Sequence, residues 1–136
     1  MKKTALFLLM AGIVTLYSCN KNSVSVNFTN LTSVTWTSDS MLANGVAADG
    51  PGQMLEKFKG DAKFNKDGSG TFGQYPGTWR FTVGETKIVI ESDSLQLPLT
   101  ANIVILTAAS LKITTLYPNI LNPAAPINIR MTFKAK

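Results

Sequence analysis

Two residue types that carry much of enzyme chemistry are missing or nearly missing from this chain. Among its 136 residues there is no histidine and one cysteine, Cys19. Nucleophile systems that pair serine or cysteine with histidine are therefore excluded, and so is a zinc site of cysteine and histidine ligands. A single cysteine also cannot form a disulfide within the chain. The folded domain must be held together by burial of apolar side chains and by sheet hydrogen bonds.

Acidic residues are also few, and their positions do not indicate catalysis. The chain has eight Asp and Glu residues, and none lies inside an apolar run where burial would prepare a general acid. Segment 65–70 alternates oxygen-bearing side chains like the start of an EF-hand loop, but the twelfth position is Pro76 instead of a glutamate. We therefore expect a protein that is not an enzyme, with no catalytic residues, no metal site and no cofactor.

Basic residues outnumber acidic ones by 13 to 8, but they are scattered along the chain. The sequence has no basic run with interleaved aromatic residues, which is the pattern typical of a nucleic-acid interface. We expect a solvated surface with a slight attraction to anionic lipid, and no nucleic-acid partner.

The N-terminal segment has the parts of a secretion signal. Lys2 and Lys3 precede an apolar run over residues 5–16, which is too short to span a bilayer. The next step, Leu-Tyr-Ser-Cys at 16–19, resembles a bacterial lipobox, whose cysteine receives the lipid and becomes the new N-terminus. We predict a lipoprotein signal peptide over residues 1–18 and lipidation of Cys19 by acyl chains such as palmitate. The alternatives are a secreted protein with a free cysteine and a cytosolic protein with an apolar N-terminus.

Lipidation would decide where the protein works, because several acyl chains make anchoring effectively permanent. We expect a lipidated cysteine and tether over residues 19–30, followed by one domain over residues 31–136. No acidic run follows Cys19; in the Bacteroidetes-type lipoproteins that this N-terminus resembles, such a run marks export to the cell surface. We therefore expect the periplasmic face of a bacterial outer membrane, with the cell surface as the alternative.

The rest of the chain has a β pattern almost throughout. Alternation is clearest over residues 126–134, where four apolar side chains share one face. Short turns such as Asp67-Gly68 and Pro76-Gly77 favour antiparallel neighbours. Eight such strands leave two free edges, which closure into an up-and-down β-barrel removes. The predicted strands cover residues 34–42, 60–66, 70–75, 77–83, 86–92, 100–107, 110–117 and 126–134.

Two segments are harder to interpret. Residues 24–28 alternate between apolar and polar, which is compatible with a short extra strand or with a stiff lead-in. Residues 102–107 are apolar on both faces, so we expect that strand to be covered on both sides or to lie against a loop.

The order of these motifs resembles the lipocalin-like lipoproteins of Bacteroidetes. Residues 61–72 are similar to that family's F-x-x-D-G hairpin, and Gly77-Thr78-Trp79-Arg80-Phe81 follows it as in the family. Residues 100–107 and 111–114 resemble the family's next strand pair. The resemblance covers residues 31–134 and implies an all-β, calycin-type barrel of eight antiparallel strands. It implies the fold more strongly than a function.

One family feature is changed here. Lipocalins carry G-x-W on the first strand, with an arginine from the end of the barrel stacked on the tryptophan; this chain has Val34-Thr35-Trp36 instead. Either Arg130 stacks on Trp36 and closes the barrel floor, or Trp36 is ordinary core and Arg130 is exposed.

The absence of catalytic chemistry and the apolar inward face together favour a carrier. An eight-stranded barrel has an interior that either fills with side chains or holds one small ligand. We predict non-catalytic binding of a small apolar or amphipathic ligand. The predicted interior residues are Trp36, Phe64, Phe72, Trp79, Phe81, Ile88, Ile90, Ile129, Met131 and Phe133. The predicted barrel-mouth residues are Met41, Leu42, Met54, Leu55 and Phe58.

A second function remains open, in which the outside of the barrel acts. The long connections 43–59 and 118–125 would then bind an envelope protein partner or inhibit an enzyme. Asp39-Ser40-Met41 and Asp93-Ser94-Leu95 resemble sites at which Bacteroidetes glycosylate exported proteins, which implies possible O-glycosylation at Ser40 and Ser94.

Overall fold

The computed structural model describes residues 24–136 as a closed β-barrel with one short helix. The predicted signal peptide and Cys19 lie outside the described residues. Among residues 24–136, no helix is both long enough and apolar enough to cross a membrane. The elements are α1 (Val26–Thr32), β1 (Thr35–Ala43), β2 (Val46–Ala47), a 3-10 turn (Glu56–Phe58), β3 (Asp61–Phe64), β4 (Ser69–Phe72), β5 (Tyr75–Phe81), a 3-10 turn (Val83–Glu85), β6 (Lys87–Glu91), β7 (Leu99–Leu106), β8 (Ser110–Tyr117) and β9 (Ile127–Ala135).

Pairing between the first and last long strands closes the barrel. Consecutive strands from β3 to β9 are antiparallel neighbours, and β1 pairs with both β3 and β9. The closing ladder runs from Trp36 opposite Ala135 to Ala43 opposite Ile129, with a bulge between Ser38 and Ser40. The predicted eight-stranded antiparallel barrel is therefore confirmed. The short strand β2 is an addition, and it pairs with the end of β1.

The two ends of the barrel are built differently. One end carries α1 and the short turns 65–68, 82–86 and 107–109, and we call it the closed end. The other end carries the connections 44–60, 73–74, 92–98 and 118–126, and we call it the open end. The longer connections all lie at the open end, so this is where the barrel has most freedom to form a site.

Helix α1 seals the closed end, where the sequence pattern had left a strand or a lead-in open. The Ser25 side chain accepts a hydrogen bond from the backbone N–H of Phe28 and caps the helix. Leu31 is fully buried, and the Trp36 Nε1 donates to its carbonyl oxygen at 3.0 Å. Phe28 packs on Trp79 with ring centroids 5.8 Å apart. The helix is therefore an amphipathic plug whose apolar residues are three apart.

Side chains fill most of the barrel. Phe64 contacts Phe72, and it also meets Trp79 edge-on with centroids 5.6 Å apart. A void of about 10 Å³ is all that remains among the aromatic rings in mid-barrel, which is no more than one water occupies. Nine of the predicted interior residues are buried and Phe81 is half-buried against Trp79. The nine are Trp36, Phe64, Phe72, Trp79, Ile88, Ile90, Ile129, Met131 and Phe133.

Trp36 is ordinary core and Arg130 is exposed, which is the second of the two arrangements that the sequence left open. Trp36 is fully buried beneath α1, opposite Ala62 and Ala135. Arg130 is exposed and lies opposite Leu42, near the open end. The two side chains belong to opposite ends of the barrel, so the backbone carbonyl of Leu31 takes the place of the arginine as the partner of the tryptophan.

Of the two expectations for residues 102–107, cover on both sides or contact with a loop, the first was wrong. The outer face of β7 is open to solvent, with Val104 52% exposed and Ile105 43% exposed. A bulge between Ile103 and Ile105 turns both Val104 and Ile105 outward, so Ile105 does not face the interior.

Replacing Leu31 with alanine should test the role of the plug. We expect Leu31→Ala to lower the free energy of unfolding by about 3 kcal/mol, because it opens a cavity between α1 and the barrel core. The control Val26→Ala lies on the exposed face of the same helix and should change it by less than about 0.5 kcal/mol. Urea denaturation followed by tryptophan fluorescence measures both. Equal small losses would contradict the sealing role of α1.

Candidate ligand pocket at the open end

An apolar pocket of about 160 Å³ opens between the long connections at the open end. Its walls come from the ends of β5, β7, β8 and β9, and its rim comes from connections 44–60 and 92–98. Below it lies the filled mid-barrel, so the pocket is a cup in the mouth rather than a channel through the molecule. The lining residues are Met54, Leu55, Phe58, Tyr75, Leu95, Leu97, Leu99, Tyr117, Ile129 and Met131.

Connection 44–60 forms one wall and is held by backbone hydrogen bonds. The Ala48 N–H donates to the Met41 carbonyl at 3.0 Å, and the Leu55 N–H donates to the Ala48 carbonyl at 2.8 Å. Leu55 and Phe58 are thereby buried although they lie outside the strands. The aromatic ring of Phe58 packs on Tyr75 with centroids 4.7 Å apart. Hydrogen bonds to β1 and an aromatic contact with β5 therefore fasten this wall to the barrel.

The turn between β4 and β5 is pressed against the same connection. The Gln74 N–H donates to the Lys57 carbonyl at 2.7 Å, and the Gly73 N–H donates to the Asp61 carbonyl at 3.0 Å. Gly73 has a φ of +60°, and a Cβ there would collide with the backbone of Phe58. Only glycine allows this close approach, which sets the position of Tyr75 two residues later.

Two tyrosines supply the polar part of an otherwise apolar lining. Tyr75 begins β5 and Tyr117 ends β8. Within residues 24–136, neither hydroxyl makes a hydrogen bond to another protein group. Burial raises the pKa of Tyr75, and the charge of nearby Tyr117 raises it further. The pocket therefore combines apolar walls with two phenolic hydroxyls, and the raised pKa of Tyr75 keeps the proton on that hydroxyl at neutral pH.

The predicted mouth residues separate in the structure. Met54, Leu55 and Phe58 line the pocket, together with Ile129 and Met131 from the predicted interior set. Met41 is 1% exposed and belongs to the core. Leu42 points to the outside, in a shallow cleft beside Arg130. Because β1 stays paired with β9 up to Ala43, Met41 and Leu42 lie on opposite faces of this strand, and neither lines the pocket.

The remaining interior residues lie deeper. Phe64, Phe72, Ile90 and Phe133 surround the small mid-barrel void. Trp36 and Trp79 lie at the closed end against α1. These side chains fill the barrel below the pocket, and they leave no room among them for a ligand.

Tyr75, Tyr117 and Leu99 are lining residues that the sequence pattern did not identify. Both tyrosines stand directly before a proline, at Tyr75-Pro76 and Tyr117-Pro118. A residue before proline is restricted to extended backbone, and this fixes each ring at the end of a strand. That signal becomes useful only after the topology has placed both strand ends at the open end.

The two serines of the possible glycosylation sites differ in access. Ser94 is exposed in connection 92–98. Ser40 is half-buried inside β1, just after the bulge, while Asp39 beside it is ion-paired with Lys134 at 2.8 Å. A glycan on Ser94 would stand free of the sheet, whereas one on Ser40 would need to leave the barrel wall between two paired strands.

No family model matches this chain, and no curated protein matches it. The resemblance to lipocalin-like lipoproteins therefore stays a prediction, and the shape and chemistry of the pocket are the grounds for a functional proposal.

Stability at alkaline pH should report on the burial of Tyr75. The pKa of Tyr75 is raised above its ordinary value of 10.0 in the folded state. The stability that the protonated Tyr75 side chain contributes is therefore fully present below pH 10.0, and it is lost as the pH rises through the folded-state pKa. We expect the free energy of unfolding of Tyr75→Phe to fall less steeply above pH 10 than that of the wild type. Urea denaturation over a pH series measures this.

The matched variant for this experiment is Tyr117→Phe. It removes the smaller of the two causes and leaves Tyr75 buried, so it should retain most of the alkaline loss. Identical slopes for the wild type and Tyr75→Phe would contradict the burial of the Tyr75 hydroxyl.

Proposed function

We propose that this chain is a lipid-anchored envelope protein that binds the apolar part of a small amphipathic molecule at the open end of its barrel, without chemical change. The observation that carries the proposal is the apolar pocket of about 160 Å³ with its two tyrosines. The lipobox-like segment at Cys19 supports the anchor, and the outer membrane is the proposed location, with the periplasmic face favoured.

Pocket size limits what can be bound. An engineered apolar cavity of about 150 Å³ holds a benzene molecule. The pocket here is of that size, so it accommodates one small ring or a chain of about six carbons. The filled mid-barrel stops a longer chain from going deeper. A long-chain fatty acid would have to leave most of its chain outside.

The tyrosines indicate the polar part of the ligand. An apolar pocket with few polar groups binds by burial and uses the polar groups to fix orientation. Phenolic hydroxyls donate to carboxylate, carbonyl or hydroxyl oxygens. The favoured ligand therefore has an oxygen-bearing head near Tyr75 and Tyr117 and a short apolar body between Leu55, Leu95 and Leu99.

A protein partner at the open end is the second candidate, and one observation favours it. Connection 118–126 presents Ile120 and Leu121 almost fully to solvent. Asn119 holds this conformation, because its Oδ1 accepts from the Leu121 N–H at 3.1 Å and the Asn122 N–H at 3.2 Å. A loop that displays two aliphatic side chains is suited to contact with another protein. A photo-crosslinker at Leu121 in intact cells tests this: a discrete protein adduct supports it, and its absence counts against it.

A homologous series of linear carboxylates tests the ligand proposal. Affinity for the full chain should rise about fourfold for each added methylene, which corresponds to about 0.8 kcal/mol of burial. The rise should stop near six carbons, because the pocket is then full. Isotope-edited NMR titration measures the affinities and shows whether the shifts centre on Tyr75, Leu95 and Tyr117.

A pair of identical substitutions provides the control. Leu95→Trp fills the pocket from its rim and should weaken hexanoate binding at least tenfold. Leu116→Trp introduces the same side chain at an exposed position outside the pocket and should leave binding unchanged. Equal affinities for the two variants, or no binding by any member of the series, would overturn the proposal.

A further inference from the structure

Exposed aliphatic side chains gather around the outside of the closed end. Val83 at the tip of the 82–86 turn is fully exposed, and Val104 and Ile105 stand on the outer face of β7. Val24 and Val26, at the start of α1, are also largely exposed. We call these five residues the closed-end patch. No part of the pocket uses them, and the bulge in β7 turns apolar residues toward solvent where a polar residue would be expected.

Backbone contacts hold the parts of the patch together. The Ile103 N–H donates to the Thr86 carbonyl at 2.9 Å. This hydrogen bond joins the 82–86 turn to the part of β7 nearer the closed end. Helix α1 contacts β7 as well as β3. The turn, the strand and the helix therefore form one side of the closed end.

Lysines flank the patch. Lys112 lies directly opposite Ile105 in the sheet register, and Lys87 lies opposite Asn102, three residues from Ile105. Glu85 is the acidic residue within the adjoining turn. Aliphatic side chains bordered by lysines are typical of surfaces that rest in the headgroup region of a bilayer.

Charge differs between the two ends of the barrel. At the closed end, basic residues outnumber acidic ones; at the open end, the acidic residues are in excess. The closed-end basic residues are Lys63, Lys66, Arg80, Lys87, Lys112, Lys134 and Lys136, against Asp39, Asp61, Asp67 and Glu85. The open-end acidic residues are Asp49, Glu56, Glu91 and Asp93, against Lys57, Lys59 and Arg130. Anionic lipid therefore attracts the closed end more than the open end.

The chain itself brings the closed end to the membrane. Val24, the first described residue, is five residues from Cys19. Five residues span at most about 18 Å even when fully extended. A lipid on Cys19 therefore keeps the start of α1 within about 18 Å of the bilayer surface. Helix α1 in turn contacts β7, the strand that carries Val104 and Ile105.

We propose that the closed end rests on the anionic surface of the same bilayer that holds the anchor, with the closed-end patch in the headgroup region and Lys87 and Lys112 against lipid phosphates. The inference depends on the lipid anchor of the proposed function. It adds an orientation, because the pocket then opens away from the anchoring membrane.

Two matched label positions test this orientation. Val83→Cys and Leu121→Cys replace side chains that are both almost fully exposed, at opposite ends of the barrel. Each full-chain variant is processed in cells, labelled with a nitroxide and reconstituted into vesicles of phosphatidylethanolamine and phosphatidylglycerol. The wild type should take up no label, since the acylated Cys19 has no free thiol. Collision with oxygen and with a water-soluble nickel chelate then reports the depth of each label.

We expect the oxygen-to-nickel ratio to be severalfold higher at position 83 than at position 121. Adding Lys87→Glu and Lys112→Glu should lower the ratio at position 83 while the protein stays bound to vesicles. Vesicles of phosphatidylcholine should lower it as well, because the charge attraction is lost.

The other outcomes separate the inference from the proposed anchor. If the protein floats with the vesicles but both labels are in water, the anchor stands and the orientation is overturned. If the protein does not float, the anchor fails and the orientation fails with it. If position 83 is shielded from both reagents and neighbouring labels broaden each other's spectra, a second copy of the chain covers the patch, which also overturns the proposal.

Discussion

The antiparallel ladder between β1 and β9 is the constraint on which the rest of the structure depends. It joins residues about one hundred positions apart and leaves no long strand with an open edge. Closure converts the alternation along each strand into an inside and an outside. It also brings the ends of β5 and β8 around one opening, so that Tyr75 and Tyr117 line a single pocket. Without this ladder the same strands would form an open sheet with no cup.

The two ends of the barrel differ in how they are covered. At the closed end, α1 covers the interior and gives the buried Trp36 a hydrogen-bond partner, which a buried indole N–H requires. The aromatic layer of Phe64, Phe72 and Trp79 follows immediately and leaves almost no space. At the open end, connection 44–60 supplies Met54, Leu55 and Phe58 to one wall of the pocket. The pocket lies beyond the aromatic layer, among Leu55, Leu95 and Leu99 and the aromatic pair of Phe58 and Tyr75.

Much of the fold was predictable because strand alternation and turn residues are local signals. Seven of the eight long strands were expected within about two residues of their observed positions, and closure followed from the need to remove edges. The strand expected over residues 70–75 ends earlier, at Phe72, because the turn at 73–74 interrupts it. Helix α1 was not predictable in the same way. Val24, Val26 and Phe28 alternate like a strand over five residues, and the choice of helix depends on the Ser25 cap and on a buried place for Leu31 beneath the barrel.

Fewer of the pocket residues than of the strands could be predicted from the sequence. Met54, Leu55 and Phe58 were expected at the mouth because they lie in a long apolar connection, and they line the pocket. Met41 and Leu42 were expected there too, but β1 continues through them because β9 is long enough to pair with it. Tyr75 on β5 and Tyr117 on β8 are three strand pairings apart in the sheet, and they face one pocket only because the sheet curves into a closed barrel. The outward turn of Val104 and Ile105 depends on a bulge, which a pattern that is apolar on both faces does not reveal.

The backbone hydrogen bonds that fasten connection 44–60 have a kinetic consequence. Ala48 is tied to Met41, Leu55 to Ala48 and Gln74 to Lys57, so the cup is already shaped before anything enters it. Binding to a preformed site needs no loop movement, so the association rate of a ligand is governed by diffusional collision. The residence time of a bound molecule of a few carbons would then depend on how strongly the pocket walls bind it. If the proposed ligand binding holds, such a pocket would load and unload rapidly and would serve as a buffer of small amphiphiles rather than a long-term store.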